Sequence, residues 1–261
     1  MIGVVAERGR YRVAVAELPL SVSLSGDQAG AIVVVPGGGR WDAAVRAAAR
    51  AGAAAIVVSR PGPIPAESIE DLAAEFASLP VVVERPFLRH DTIEDARSAA
   101  ARAGDGAPPA VIAVDAVATA STFDLVLRDA VGWLRVLGGE RPVLTTTAEG
   151  LSFFEGAPPG GAPAVLTAVR VPAGTDRIQA HVLGEVRSEI DTTATGGVVS
   201  TTTALGCTTS PRGHESLERI ALRRAVAAIG SGVPTADLAD LSTDTAIAAE
   251  IAAAVRGHKH H

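Results

Sequence analysis

The order of apolar runs and polar breaks predicts an α/β half followed by an α+β half, and three observations carry that expectation. Through about residue 103, short runs apolar on both faces alternate with segments whose apolar residues recur at helical spacing. Strands of that buried kind, joined by helices, belong to a parallel sheet covered on both sides. Beyond that point the segments turn Thr- and Val-rich with Gly or Pro between them, which suits antiparallel strands, and a helical pair closes the chain.

Taken in order, "RYRVAVAEL" alternates like a first short strand, and after "SGDQAG" comes the apolar run Ala31 to Val35. A helix over 40–52 follows, with Trp41, Ala44, Val45 and Ala48 at helical spacing and Gly52 as its stop. The cycle repeats with a strand over 53–59, a helix over 65–79, a strand over 80–84 and a helix over 91–103. In the second half, "PAVIAVDAVAT", "RPVLTTTAEG", "APAVLTAVRVP", "RIQAHVLGEVRSEIDTTATGG" and "VVSTTTALGC" read as strands, interrupted by a helix over 125–139. "HESLERIALRRAVAAIGSG" and "STDTAIAAEIAAAVRG" supply the closing helices. The division falls at residue 88, giving 1–88 and 89–261.

At 261 residues and 48% hydrophobic, the chain can bury a sizeable core. A net charge of -6 argues against nucleic acid or an anionic membrane as partner, since both want a basic face. Cys207 is alone and closes no internal disulfide, and no apolar run approaches the roughly 20 residues of a membrane span, so a cytoplasmic protein is expected. Of 23 basic residues only Lys259 is a lysine, and it sits in the terminal "GHKHH", to which no role is given. Arginine stays protonated at any working pH, so lysine-type base or Schiff-base chemistry is excluded from the body of the chain. Three histidines (His90, His181, His214) and one tyrosine, Tyr11, complete the titratable groups of interest there.

Three glycines in "AIVVVPGGGRWDAA" raise the possibility of a phosphate cradle. Their spacing matches neither G-x-G-x-x-G nor a Walker loop, which also needs Lys, so a tight turn is expected. The functional alternative is that Gly37 and Gly38 lay bare backbone against a ligand at the carboxyl end of the sheet. Near the next strand end, "ERPFLRHD" gathers Glu84, Arg85, Arg89, His90 and Asp91. His90 is the best acid/base candidate there because imidazole titrates near neutral pH; the plainer account is a solvated loop with Asp91 as a helix cap. His181 alternates with apolar neighbours as on a strand face, and no His, Cys or carboxylate spacing suits a metal. The Thr-rich strands offer no base to activate a hydroxyl nucleophile.

Four stretches together resemble the Gfo/Idh/MocA family of NAD(P)-dependent sugar and polyol oxidoreductases, over about residues 29–256. "IVVVPGGGRWDAAVRAAARAGAAAIVVSRP" keeps the family's layout of strand, turn, helix and strand, with Pro36 at the turn and Pro61 closing the second strand. "PVVVERPFLRHD" offers Arg89 and Asp91 for the family's next turn, "RDAVGWLRVLG" is similar to the end of its catalytic helix, and "AIGSGVPTADLADLSTDTAIAAEIAAA" is similar to its closing loop and helix. The resemblance implies a truncated Rossmann-like parallel sheet followed by a mixed or antiparallel sheet domain packed by helices.

It also implies where function has changed. Only thirty residues precede Ala31, with Gly9 the one glycine in "VVAERGRYRV", so the first phosphate-binding turn and helix are expected to be missing or a remnant. Where the family has Glu-Lys-Pro this chain has Ser59-Arg60-Pro61, and where it has a catalytic His before Asp this chain has Arg128-Asp129. Arg60 and Arg128 either face one cavity and hold a carboxylate or phosphate, or pair with nearby acids. The expectation is a degenerate protein with no cofactor, acting as a binding or assembly subunit; the alternative is a divergent NAD(P)-dependent oxidoreductase. A homodimer, or a heterodimer with a longer relative, is expected through the sheet of the second half, whose strands carry few charges.

Overall fold

The computed structural model describes residues 1–7, 9–102, 110–139, 142–148, 151–155, 162–210 and 215–257. His214 and Lys259 lie outside the described residues. The chain forms two compact units, Met1–Arg85 with Glu215–Ser242, and Pro86–His214 with Thr243–His261. The first unit thus takes back a segment that a single cut at residue 88 leaves with the second half.

The first unit is built on a five-stranded parallel sheet in the order β2-β1-β3-β4-β5. Its strands are β1 (Ile2–Val5), β2 (Val22–Leu24), β3 (Ile32–Pro36), β4 (Ala55–Ser59) and β5 (Val81–Glu84). They are apolar on both faces because each face has a core of its own. Val33, Val35, Ile56 and Val58 pack with Trp41 and Val45 of α2 (Trp41–Arg50) and Ile69 and Leu72 of α3 (Ala66–Glu75). Val4, Ile32, Val34 and Val57 pack on the other face with Tyr11, Ala14 and Val15 of α1 (Gly9–Ala16). Ala221, Leu222 and Ala225 of α6 (Leu217–Ser231) join that second core. Leu238 and Leu241, near the start of α7 (Asp237–Gly257), join the first.

Two expectations change here. "RYRVAVAEL" is helix α1 rather than a strand, and the first strand is Ile2–Val5. Both periods are present in that stretch, and burial decides between them: Tyr11, Ala14 and Val15 at helical spacing are buried, whereas Val13, which strand alternation would bury, is 59% exposed. The opening β-α-β unit is therefore present, with β1 pairing in parallel with β2, and is short rather than missing.

The second unit holds α4 (His90–Arg102), β6 (Val111–Thr119), α5 (Phe123–Gly138) and seven further strands. These are β7 (Val143–Ala148), β8 (Leu151–Glu155), β9 (Ala164–Val171), β10 (Arg177–Leu183), β11 (Arg187–Thr193), β12 (Gly196–Thr203) and β13 (Gly206–Thr209). The sheet runs β13-β12-β11-β10-β6-β9-β8-β7. Every pairing is antiparallel except β6 with β9, so the sheet is mixed. A parallel pair needs a crossover, which the chain makes through α5 and the β7–β8 hairpin. On β6 the residues Ile112, Val114, Ala116 and Ala118 are buried, together with Val126, Ala130, Trp133 and Leu134 of α5. Asp115 and Val117 alternate outward on the same strand and are exposed.

Candidate functional site

At the carboxyl edge of the parallel sheet, four elements converge on one buried carboxylate. Glu84 ends β5 with its side chain almost fully buried. Its Oε2 accepts from the Tyr11 hydroxyl at 2.5 Å and from Ser59 Oγ at 3.3 Å, and its Oε1 accepts from Arg60 Nε at 2.8 Å. Burying a carboxylate is costly unless its lone pairs are used, and three donors use these. Burial first, and then the negative charge of Glu84, raises the Tyr11 phenol well above its ordinary value, so the hydroxyl remains a donor.

The turn after β4 explains the first of the three glycines. Gly37 N–H donates to the Ser59 carbonyl at 2.8 Å, and Gly62 N–H donates back to the Gly37 carbonyl at 2.7 Å. A Cβ on Gly37 would lie 2.4 Å from the Arg60 carbonyl oxygen and 2.5 Å from Pro61 Cα, so only glycine lets the two strand ends approach. Gly38, by contrast, faces open space. Trp41 Nε1 closes the arrangement by donating to the Gly62 carbonyl at 3.1 Å. Arg60 is held at φ 52°, the only positive φ outside glycine among the described residues. That conformation is sparsely populated for a residue with a Cβ and points to a constrained position.

Above Glu84 lies a recess of about 300 Å³ lined by Gly9, Arg10, Tyr11, Ser59, Arg60 and Glu218. It opens at the amino end of α1, and a helix amino end favours negative charge. Glu218 comes from the first turn of α6, positioned by Ser216, whose hydroxyl caps that helix by accepting from Arg219 N–H at 3.2 Å. Glu218 Oε1 is 3.7 Å from Arg60 Nη2 and 3.9 Å from Arg10 Nη1. The recess can hold an anionic group at Arg10 and Arg60, and hydroxyls at Ser59 and Glu218.

The second unit gathers the other residues singled out from the sequence. Arg128 and Asp129 lie on α5, both buried, with Arg128 Nη2 3.2 Å and Nε 3.3 Å from Asp129 Oδ1. Asp129 Oδ2 accepts from the Phe87 N–H at 3.3 Å, while the Phe87 carbonyl accepts from Trp133 Nε1 at 2.8 Å and Thr192 Oγ1 at 3.0 Å. These contacts clamp the backbone of Phe87 on both sides, from α5 and from β11. Arg89 forks onto Asp91 at 3.0 and 2.6 Å, and Asp91 Oδ1 also accepts from Thr92 N–H at 2.8 Å. His90 Nε2 is 3.2 Å from Glu94 Oε1. Among the described residues no cluster of His, Cys, Asp or Glu could hold a metal, and no helix is long and apolar enough to cross a membrane.

Arg60 therefore belongs to the first unit and Arg128 to the second, each beside a carboxylate of its own unit. Sequence reasoning did not reach Tyr11 or Glu218 as site residues. Tyr11 stood in what reads as a strand, and no local pattern ties Glu218 to Arg60; the one available signal was that a lone tyrosine follows Gly9 directly after an apolar first strand.

An opening parallel β-α-β unit, a sheet carrying helices on both faces and a large mixed sheet define the fold of Gfo/Idh/MocA-type oxidoreductases, and this chain has it. It is similar in structure to UDP-N-acetylglucosamine 3-dehydrogenase from Acidithiobacillus ferrooxidans, with a TM-score of 0.69 and 16% identity over 98% of this chain and 97% of that one. A 3-ketoreductase from Actinomadura kijaniata in complex with NADP gives 0.62 at 14% identity, covering 98% and 89% of the two chains. Scyllo-inositol dehydrogenase from Lactobacillus casei gives 0.60 at 13%, covering 98% and 96%. No family model matches the sequence, and no curated protein matches it.

Proposed function

We propose that this chain is a divergent NAD(P)-dependent oxidoreductase acting on a sugar, a polyol or a related small molecule. The observation that supports it is the short but present β1–α1–β2 unit, with a recess carrying Arg10 and Arg60 at the amino end of α1. In open α/β sheets ligands bind beyond the carboxyl ends of the strands where the strand order reverses, here between β1 and β3. The donor set fits a phosphate-bearing dinucleotide: two guanidinium groups and the first amides of α1 for phosphate, and Asp27, just beyond β2, for a ribose hydroxyl. The neighbour solved with NADP and the neighbouring sugar and inositol dehydrogenases support the same reading.

When bound, the cofactor would accept or supply hydride. Arg60, tied at Nε to Glu84, keeps positive charge and hydrogen-bond donors facing the recess, where they can steady an oxygen that gains negative charge. Tyr11 donates to Glu84 and so fixes the carboxylate that fixes Arg60. Neither group takes a proton at working pH.

A second reading, a binding or assembly subunit without catalysis, is favoured by one observation: both positions that handle protons in the resembling family hold arginine, and each is paired with an acid, Arg60 with Glu84 and Arg128 with Asp129. Calorimetric titration with NADPH and NADH separates the two. A dissociation constant in the micromolar range for either supports the oxidoreductase, and cofactor reduction on adding scyllo-inositol or UDP-N-acetylglucosamine would name the substrate side. Absence of binding at millimolar cofactor would leave the second reading.

A further inference from the structure

Two carboxylates bear on Arg60, Glu218 in the recess lining and Glu84 outside it, and they play different parts. Glu84 is committed, buried under three donors at 2.5–3.3 Å. Glu218 is not committed in that way. Its single oxygen Oε1 stands 3.7 Å from Arg60 and 3.9 Å from Arg10, within ion-pair range of both and beyond hydrogen-bond length to either. Its side chain is 9% exposed, so solvent screens it little, and it sits in the first turn of α6. Arg60 cannot follow a ligand freely, because its backbone is pinned against Gly37 and its Nε is held by Glu84.

We infer that Glu218 competes with the anionic groups of the ligand for Arg10 and Arg60, and so sets the affinity of the recess for phosphate-bearing ligands. Resting on the cofactor reading above, it adds a residue from α6, outside the opening β-α-β unit, as the one that governs how tightly the cofactor is held. A phosphate entering the recess meets two guanidinium groups already shared with an acid of its own sign of charge. Neutralising that acid leaves the cations to the ligand alone.

The test is calorimetric titration of the full chain with inorganic pyrophosphate and, separately, with NADPH, for the wild type, Glu218→Gln, Glu218→Asp and Glu215→Gln. Glu218→Gln keeps the shape and removes the charge, and it should tighten pyrophosphate binding by about tenfold, the order expected for one like charge removed at screened ion-pair range. Glu218→Asp keeps the charge and should stay within a few-fold of the wild type. Glu215, which pairs with Arg223 and does not line the recess, should have no effect when changed. Unchanged or weaker pyrophosphate binding by Glu218→Gln, including no binding at all, would overturn the inference. Tighter pyrophosphate with no NADPH binding in any variant would uphold it while removing the cofactor reading. NADPH bound by the wild type with no gain for either probe in Glu218→Gln would do the reverse.

Discussion

Gly37 and Gly38 stand side by side and carry opposite demands. A methyl group on Gly37 would meet backbone atoms of Arg60 and Pro61 at 2.4–2.5 Å, and backbone cannot step aside cheaply. Gly37→Ala should cost about 1–3 kcal/mol of stability, the range for overpacking a close contact, and Gly38→Ala should stay within about 0.5 kcal/mol. Urea unfolding of both variants checks the pair, and equal effects would mean that the strand ends do not approach as described. Asp42 offers a test of charge. The Arg40 fork at 2.9 Å lowers its carboxyl to about 2, with smaller help from the Ala43 amide and Arg46. A folded value below the unfolded one, about 3.9, means that the stabilisation is whole above pH 4 and is lost as pH falls through the folded value. Wild type should therefore exceed Asp42→Asn in stability at pH 6, with the gap closing from about pH 4 towards pH 2. Denaturant midpoints across that range measure it, and a gap independent of pH would assign the effect of the substitution to shape alone.

At the scale of elements, α1 is the most informative, since its sequence supports two periods and its burial only one. Val13 is exposed while Ala14 is 1% exposed, so Val13→Gln should change stability by less than about 0.5 kcal/mol, as surface substitutions do. Ala14→Gln puts an amide against the sheet core and should cost several-fold more, about 2 kcal/mol or above. Thermal melts of the two decide it, and the reverse order would restore a strand at that place. The same helix aims Tyr11 at Glu84, residues separated by 73 positions, and so joins the first helix of the chain to the last strand of the parallel sheet.

For the whole molecule, the outward face of the mixed sheet bears on association. Val117, Val169 and Phe153 are 36%, 46% and 45% exposed, on the adjacent strands β6, β9 and β8. On that side the exposed charge of β6 is Asp115, which neighbours Val117 on the same face. On β10 and β11 the Arg177–Asp191 fork, at 2.6–2.7 Å, and the Arg187–Glu189 pair at 2.9 Å make the face polar. A neighbouring apolar group of this kind favours burial against a second chain. We expect a dimer at micromolar concentration by light scattering, and Phe153→Glu should shift it towards monomer. A monomeric wild type would leave the face as ordinary surface.

Most of the fold was legible because local periodicity reports burial: the runs at 31–35, 53–59 and 80–84 are apolar on both faces, and they are the neighbouring strands β3, β4 and β5 of a sheet with a core on each side. The helices at Trp41, Ala66 and Phe123 follow their spacing for the same reason. Strand partners and direction were not legible. "PAVIAVDAVAT" and "APAVLTAVRVP" look like any alternating strands, and only the path of the chain between them makes β6 and β9 parallel. The ambiguous "RYRVAVAEL" needed the sheet beside it to choose a period. At the site, the glycines at 37–39, Arg60 and Glu84 stand out in the sequence, because turns and strand ends leave local marks. Tyr11, Glu218 and the fact that one buried carboxylate holds Tyr11, Ser59 and Arg60 were decided only in three dimensions, because electrostatic neighbours are set by which elements pack, and packing joins residues that no local pattern connects.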